Sequence, residues 1–168
     1  MRSIRPDDEF RQELRRGRHY QEVVCAWIRK LGIHVKHDRL RIRPSGEPVS
    51  KYRDNGDLVC ISASGRPRNV EVKSKRGPCF NGPEDYPFST ALVMTAEWHG
   101  KLARSGKHPH ATIIVHQETY GVVVVPRSSE RNWSLVDQWT TDGQRPCYHC
   151  PKADLKPWDN FLDWLEWG

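Results

Sequence analysis

Between positions 10 and 31, the apolar side chains of Tyr20, Val23, Val24, Trp27, Ile28 and Leu31 recur at steps of three and four. That period predicts a helix from Phe10 to Leu31 with one buried stripe, stopped by Gly32. A polar stretch from His37 to Asn55 follows, in which Arg39 to Arg43 alternates like a short strand with basic residues on one face. Leu58 to Ile61 and Val70 to Lys73 read as two short strands, and the turn-rich run Ser62 to Asn69 between them predicts a hairpin. Gly77 to Pro87 is a loop by its prolines and glycines. Ser89 to Arg104 carries a second helical pattern through Leu92, Val93, Ala96 and Leu102, ended by Ser105-Gly106. Thr112 to His116 and Val122 to Val125 are β-branched runs about a turn at Tyr120-Gly121, a second hairpin and a largely buried one. The less regular C-terminal part ends in Trp158, Phe161, Leu162 and Leu165, which suggest a closing helix. No internal repeat or low-complexity tract interrupts this order.

Helix, strands, helix, strands is the order of an α/β fold. A chain of 168 residues supplies one ordinary domain with a real core, so residues 1–168 are expected to form a single domain, with its core at about 10–126 and a Trp-rich extension at about 127–168.

Charge sharpens the picture. The net charge of +6 is gathered in clusters at Arg15, Arg16 and Arg18, at Arg39, Arg41 and Arg43, and at Lys73, Lys75 and Arg76. A polyanion is the natural partner, although such charge also serves simple solubility. No window approaches the roughly 18 apolar residues of a membrane span, and the N-terminus is polar, so the expectation is an intracellular protein with no membrane partner. Five scattered cysteines do not form a disulfide framework and read as reduced thiols. Cys147 and Cys150 could be half of a zinc site completed by Cys79, His108 or His110, but no second pair at similar spacing exists, and free thiols are preferred. No His-Glu-X-X-His frame is present, which argues against a metalloprotease. His99 could touch a phosphate, though a scattered histidine is more often a polar surface residue. The tryptophans from Trp158 to Trp167 could stack on bases, but at helical spacing they read first as core or as the face of a homodimer.

The chemistry concentrates on the first hairpin. Glu71 and Lys73 are two apart on a strand, so their side chains leave one face roughly 6 to 7 Å apart, while Val72 points into the core. A hairpin centred near Gly65 pairs residues whose numbers sum to about 130, setting Asp57 across from Lys73. Two carboxylates beside one lysine repel each other unless a cation intervenes, and Mg²⁺ is the hard cation that oxygen donors suit. Phosphodiester hydrolysis needs this equipment: carboxylates for a divalent metal, and a positive group near the developing charge. The bland alternative is a surface salt-bridge ladder across a hairpin.

Asp54-Asn55-Gly56-Asp57-Leu58 followed by Val70-Glu71-Val72-Lys73-Ser74-Lys75 resembles the Asp then Glu-X-Lys core of the PD-(D/E)XK nuclease superfamily, which implies its restriction-endonuclease-like α/β fold, a central mixed sheet flanked by helices. The helix around Gly17 to Gly32 is similar to the first helix of archaeal-type Holliday junction resolvases and of small phage-encoded nucleases of that superfamily, and the resemblance spans roughly Gly17 to Val125. It implies that Asp57 and Glu71 bind Mg²⁺, with Mn²⁺ able to substitute, that the Val72 carbonyl completes the metal's shell, and that Lys73 orients the attacking water or stabilises developing charge. Relatives often place a glutamate on the first helix. Here Gln21, four after Gly17, holds that position at the border of the apolar stripe, whereas Glu22 lies nearly opposite it and reads as solvated. A neutral Gln21 slightly favours one metal over two.

The reading is a Mg²⁺-dependent DNA endonuclease, with Lys51, Arg53, Lys75 and Arg76 contacting phosphates and branched DNA the first expected substrate. A homodimer would suit a two-fold junction. The alternatives are a site-specific endonuclease of restriction or homing type, an exonuclease of the same fold, a non-catalytic nucleic-acid-binding module, and a protein-interaction domain built on the Trp-rich tail.

Overall fold

The computed structural model describes residues 7–36, 58–140, 143–161, 163 and 165. In chain order these form α1 (Asp7–Lys30), β1 (His34–Lys36), β2 (Leu58–Ile61), β3 (Pro67–Lys75), β4 (Thr90–Thr95), α2 (Ala96–Ser105), β5 (Ala111–His116), β6 (Val122–Pro126), β7 (Ser134–Thr140) and β8 (Gly143–Pro151). Five strands make a mixed sheet in the order β1-β2-β3-β5-β6, and three make a second sheet in the order β4-β8-β7. In the larger sheet β3 and β5 run parallel and the other neighbours antiparallel. A parallel pair needs a crossover, and β4 with α2 supplies it. The architecture is therefore the expected α/β one with a central mixed sheet.

Strand alternation divides the core in two. Val70 and Val72 of β3, Ala111, Ile113 and Val115 of β5, and Val122 and Val124 of β6 pack with Tyr20, Val24, Cys25 and Ile28 of α1 and with Phe161 and Leu165. The intervening residues Ile114, Val123 and Val125 pack on the other face with Ala91, Val93 and Met94 of β4, Cys150 of β8, and Phe80 and Tyr86. One face of the sheet is thus covered by α1, and the other by the second sheet together with α2. α2 buries no residue fully but packs its half-buried Trp98 and Leu102 against this second cluster. Both faces of β5 and β6 are buried along their whole length, as their unbroken β-branched runs required.

Several expectations need correction. The first hairpin pairs Leu58 with Val70 and Ile61 with Pro67, so partner numbers sum to 128 and not 130. The cause lies in the turn: Gly65 N–H donates to Ser62 O at 2.9 Å and Gly65 takes the left-handed conformation at φ 77°, which makes a three-residue loop centred on Ser64. β3 also runs longer than expected, to Lys75. The segment from Ser89 to Arg104 is not one helix. Its first half is β4, where Thr90, Val93 and Thr95 favour a strand and β8 provides the ladder. The helix starts only at Ala96, where the Thr95 hydroxyl caps it by accepting from Trp98 N–H at 3.2 Å.

β7 and β8 lie in the stretch read as irregular. Residues after 126 are therefore built into the second sheet by the β4–β8 ladder. Leu31 lies past the end of α1 and is 42% exposed, outside the buried stripe. At the C-terminus a 3₁₀ turn, Trp158–Asn160, leads into the buried Phe161 and Leu165. Trp158 stacks on Phe161 and packs edge-on against Trp27, so this tryptophan serves the core. Leu162, Trp167 and the basic alternation at Arg39 to Arg43 lie outside the described residues.

Candidate functional site

β3 is the strand on which the polar chemistry converges. Because Val70 and Val72 face α1, Glu71, Lys73 and Lys75 leave the opposite face, in register with Thr112, Ile114 and His116 of β5. Lys73 Nζ lies 2.5 Å from Glu71 Oε1, with 33% and 18% of the two side chains exposed. The pair is neither sealed in the core nor free at the surface. The described pairing of β2 with β3 ends at Leu58 and Val70, the neighbours in sequence of Asp57 and Glu71. Asp57 itself, and with it Lys51 and Arg53, lies outside the described residues.

Lys75 occupies a pocket of its own. Its Nζ donates to Tyr86 Oη at 3.1 Å and sits 4.0 Å from the centroid of the Phe88 ring. Burial lowers the pKa of this ammonium and pushes the Tyr86 hydroxyl up to about 12. His149 faces the same group: burial first, and the Lys75 charge second, lower its pKa. Its Nδ1 bonds Thr90 Oγ1 at 3.1 Å, and its buried Nε2 has no partner among the described residues. Lys75, expected to reach a phosphate, is instead engaged with an aromatic pocket because alternation turns it toward the loop that carries Tyr86 and Phe88.

That loop, from Gly77 to Ser89, is firmly built. The Asp85 carboxylate accepts from Asn81 N–H at 3.0 Å and Gly82 N–H at 2.9 Å, bonds that lower its pKa. Thr119 Oγ1 donates to Phe80 O at 2.6 Å, and His116 Nε2 bonds Gly77 O at 3.1 Å. Gly121 lies so close that a Cβ there would fall 1.9 Å from Phe80 O.

Of the remaining expected residues, Gln21 is 6% exposed on the α1 stripe, between Tyr20 and Val24. It therefore approaches the sheet from the side of Val70 and Val72, and the geometry does not bring it to the face of Glu71 and Lys73. Val72 is buried in the α1-facing core. Glu22 is exposed and accepts from Arg18 Nε at 3.1 Å, as a solvated helix residue should. Arg76 follows β3, and its Nε donates to Gln117 Oε1 at 2.8 Å. Ser74 Oγ accepts from Gln117 Nε2 at 2.9 Å. Gln117 went unnoticed in the sequence because nothing marks a lone glutamine in a turn.

A second polar cluster lies around α2. His99 Nε2 is 2.5 Å from Glu130 Oε1, and Arg127 Nε is 3.1 Å from Glu130 Oε2, which commits His99 to a carboxylate. Cys147 and Cys150 are buried free thiols on β8, and burial raises both, Cys150 to about 11. Among the described residues no group of three His, Cys, Asp or Glu side chains converges to hold a metal ion. At the β3 site the described oxygen donor is the Glu71 carboxylate. A hard, oxygen-seeking cation fits that donor, and a thiophilic one does not.

No described helix is long and apolar enough to cross a membrane. No protein-family model matches the chain, and no curated protein matches it. Among solved structures the chain is similar to a nuclease from a fusselovirus, with 12% identity over 96% of this chain and 94% of that one, at a TM-score of 0.42. A likeness of that degree carries no argument about the site.

Proposed function

We propose that this protein is a Mg²⁺-dependent DNA nuclease that hydrolyses phosphodiester bonds at the Glu71–Lys73 face of β3. The observation that carries the reading is the contact of Glu71 with Lys73 on one strand face, half-shielded from solvent and directly after Val70, whose partner on β2 is Leu58, the residue next to Asp57 in sequence. An exposed ladder pair would contribute about 0 to 1 kcal/mol and could lie anywhere on the surface. Here the pair sits within the six-residue parallel ladder of β3 with β5, which holds both residues in register on one face.

In this reading Glu71 and Asp57 would hold Mg²⁺, or Mn²⁺ in its place, with the Val72 carbonyl as a further ligand. The metal, when bound, supplies Lewis-acid polarisation of the phosphate. Lys73 is the group whose charge meets the negative charge that grows on the phosphate oxygens, and its contact with Glu71 holds the ammonium in place beforehand. Arg76 adds a cation at the end of the same strand, so that a phosphodiester chain crosses β3 near its C-terminal end. Branched DNA, cut by a homodimer, is the substrate reading that the Gly17 to Gly32 resemblance supports.

The test is cleavage of labelled junction, duplex and single-stranded DNA in Mg²⁺, with EDTA as control. The expected result is metal-dependent cutting that falls by about a hundredfold or more in Lys73→Ala. Binding of every DNA without cutting of any would replace this reading with a non-catalytic binding module.

A further inference from the structure

Behind the Glu71–Lys73 face, the end of β3 and the first half of α1 enclose a cleft of about 300 Å³ lined by Glu13, Arg16, Gly17, Ser74, Arg76 and Gln117. It shares Glu13, Arg16 and Arg76 with an adjoining recess of about 590 Å³ that adds Arg15. Strand alternation places Ser74 on this side, away from Lys73 and Lys75.

Gln117 organises the cleft. Its backbone is held at both ends, by N–H donation to Lys75 O at 2.9 Å and by acceptance from Tyr20 Oη at 2.9 Å. Its side-chain amide then makes two directed bonds, accepting from Arg76 Nε and donating to Ser74 Oγ. The consequence for Arg76 is that Nε is used while both Nη groups remain uncommitted among the described residues. Since the partner is a neutral amide, the guanidinium also keeps its full charge for a ligand. Ser74 Oγ has accepted one bond, and its own proton is left to donate. Arg16 is steadied the same way, its Nε 3.5 Å from Gln12 O. Across the two recesses Arg15, Arg16 and Arg76 outnumber the one lining carboxylate, Glu13.

We infer that this cleft is a phosphate-group subsite, distinct from the phosphate at Glu71 and Lys73, in which Arg76, Arg16 and the Ser74 hydroxyl donate to one tetrahedral oxyanion. Oriented guanidinium forks beside a hydroxyl donor suit the several oxygens of a phosphate. The source of the phosphate as a DNA backbone rests on the nuclease reading; the donor geometry does not.

The experiment compares the wild type, Arg16→Gln/Arg76→Gln, Gln117→Ala, and Lys107→Gln as a control for charge elsewhere. Binding of a fluorescein-labelled duplex is measured in EDTA from 0.05 to 0.3 M salt, and melting temperature is followed with inorganic phosphate at constant ionic strength. The double variant should lose about tenfold or more in affinity, as expected for charged hydrogen bonds, and its salt slope should flatten by about 0.9 for the phosphate released. Gln117→Ala removes no charge, so a several-fold loss of affinity at unchanged slope reports the lost positioning. Phosphate should raise the melting temperature of the wild type and not of the double variant. If Gln117→Ala binds as tightly as wild type and the double variant behaves like Lys107→Gln, only diffuse charge is at work and the subsite is refuted. If the wild type binds no DNA, the nuclease reading falls, and the phosphate titration decides the cleft alone: a stabilisation lost in the double variant assigns it to free phosphate, and no stabilisation overturns it.

Discussion

Replacing Gly121 by alanine tests how the Gly77 to Ser89 loop is locked to the sheet. The new Cβ would lie 1.9 Å from Phe80 O and 2.6 Å from both Asn81 Cα and Phe80 C, all backbone atoms, where real contacts stay above 3.0 Å. Rotamer changes cannot relieve this, so the loop must retreat by about 1 Å from the β5–β6 turn. Two bonds cross that gap, from Thr119 Oγ1 to Phe80 O and from Val122 N–H to Asn81 O at 3.2 Å. At about 1 kcal/mol net for each bond, their loss costs about 2 kcal/mol, and displacing the fully buried Phe80 adds about 1 to 2 more. A total of about 3 to 4 kcal/mol lowers the melting temperature of a chain this size by roughly 10 °C. Calorimetry or circular dichroism reads it directly, with Gly82→Ala as control, since a Cβ there meets nothing within 4 Å. A Gly121→Ala protein that melts within about 2 °C of wild type would refute the reasoning, as would an equal fall in the control. Tyr86 and Phe88 ride on this loop, so the same substitution should also loosen the pocket around Lys75.

Thr95→Ala removes the hydroxyl that caps α2 and should cost about 1 kcal/mol, a fall of about 2 to 4 °C in melting temperature, whereas Thr95→Ser keeps the cap and most of the stability. The Glu130 carboxyl is held below its ordinary value of 4.5: burial alone would raise it, but the His99 hydrogen bond and the Arg127 charge outweigh that. A depressed folded value means that its contribution is complete above pH 4.5 and drains away as pH falls through the lowered value. The stability gap between wild type and Glu130→Gln, measured by urea unfolding, should therefore narrow below pH 4.5. A gap that stays constant to pH 3 would count against the ion pair.

Much of the larger sheet was legible because its strands carry local signals: the β-branched runs at Thr112 to His116 and Val122 to Val125, and the turn chemistry at Gly65. β4 was not, because Leu92, Val93, Ala96 and Leu102 fall by coincidence at helical steps, and what makes Thr90 to Thr95 a strand is a ladder with Cys147 to Pro151, more than fifty residues away. β7 escaped notice for the opposite reason, since Leu135, Val136 and Trp139 are exposed and no alternation marks a buried face. At the site, the spacing of Glu71 and Lys73 showed that they share a face. Which side of the sheet α1 would cover was not written in the stripe of α1, and on that choice the place of Gln21 depended. The register of the first hairpin turned on one residue of loop length, since moving the centre from Gly65 to Ser64 shifts every pairing by two. Arg76 was visible as a cation, but the amide that aims it was not.

The alternation along β3 leaves that strand without a spare side. In most strands of a half-buried sheet every second position is tolerant, because one surface meets only water. From Val70 to Arg76 the even and odd positions are each engaged: Val70 and Val72 with the helix, Ser74 and Arg76 with Gln117, Glu71 with Lys73, and Lys75 with Tyr86. In a saturation library, therefore, these seven consecutive positions should show depletion with no two-residue rhythm, while β7, exposed along most of its length, should accept nearly any polar replacement.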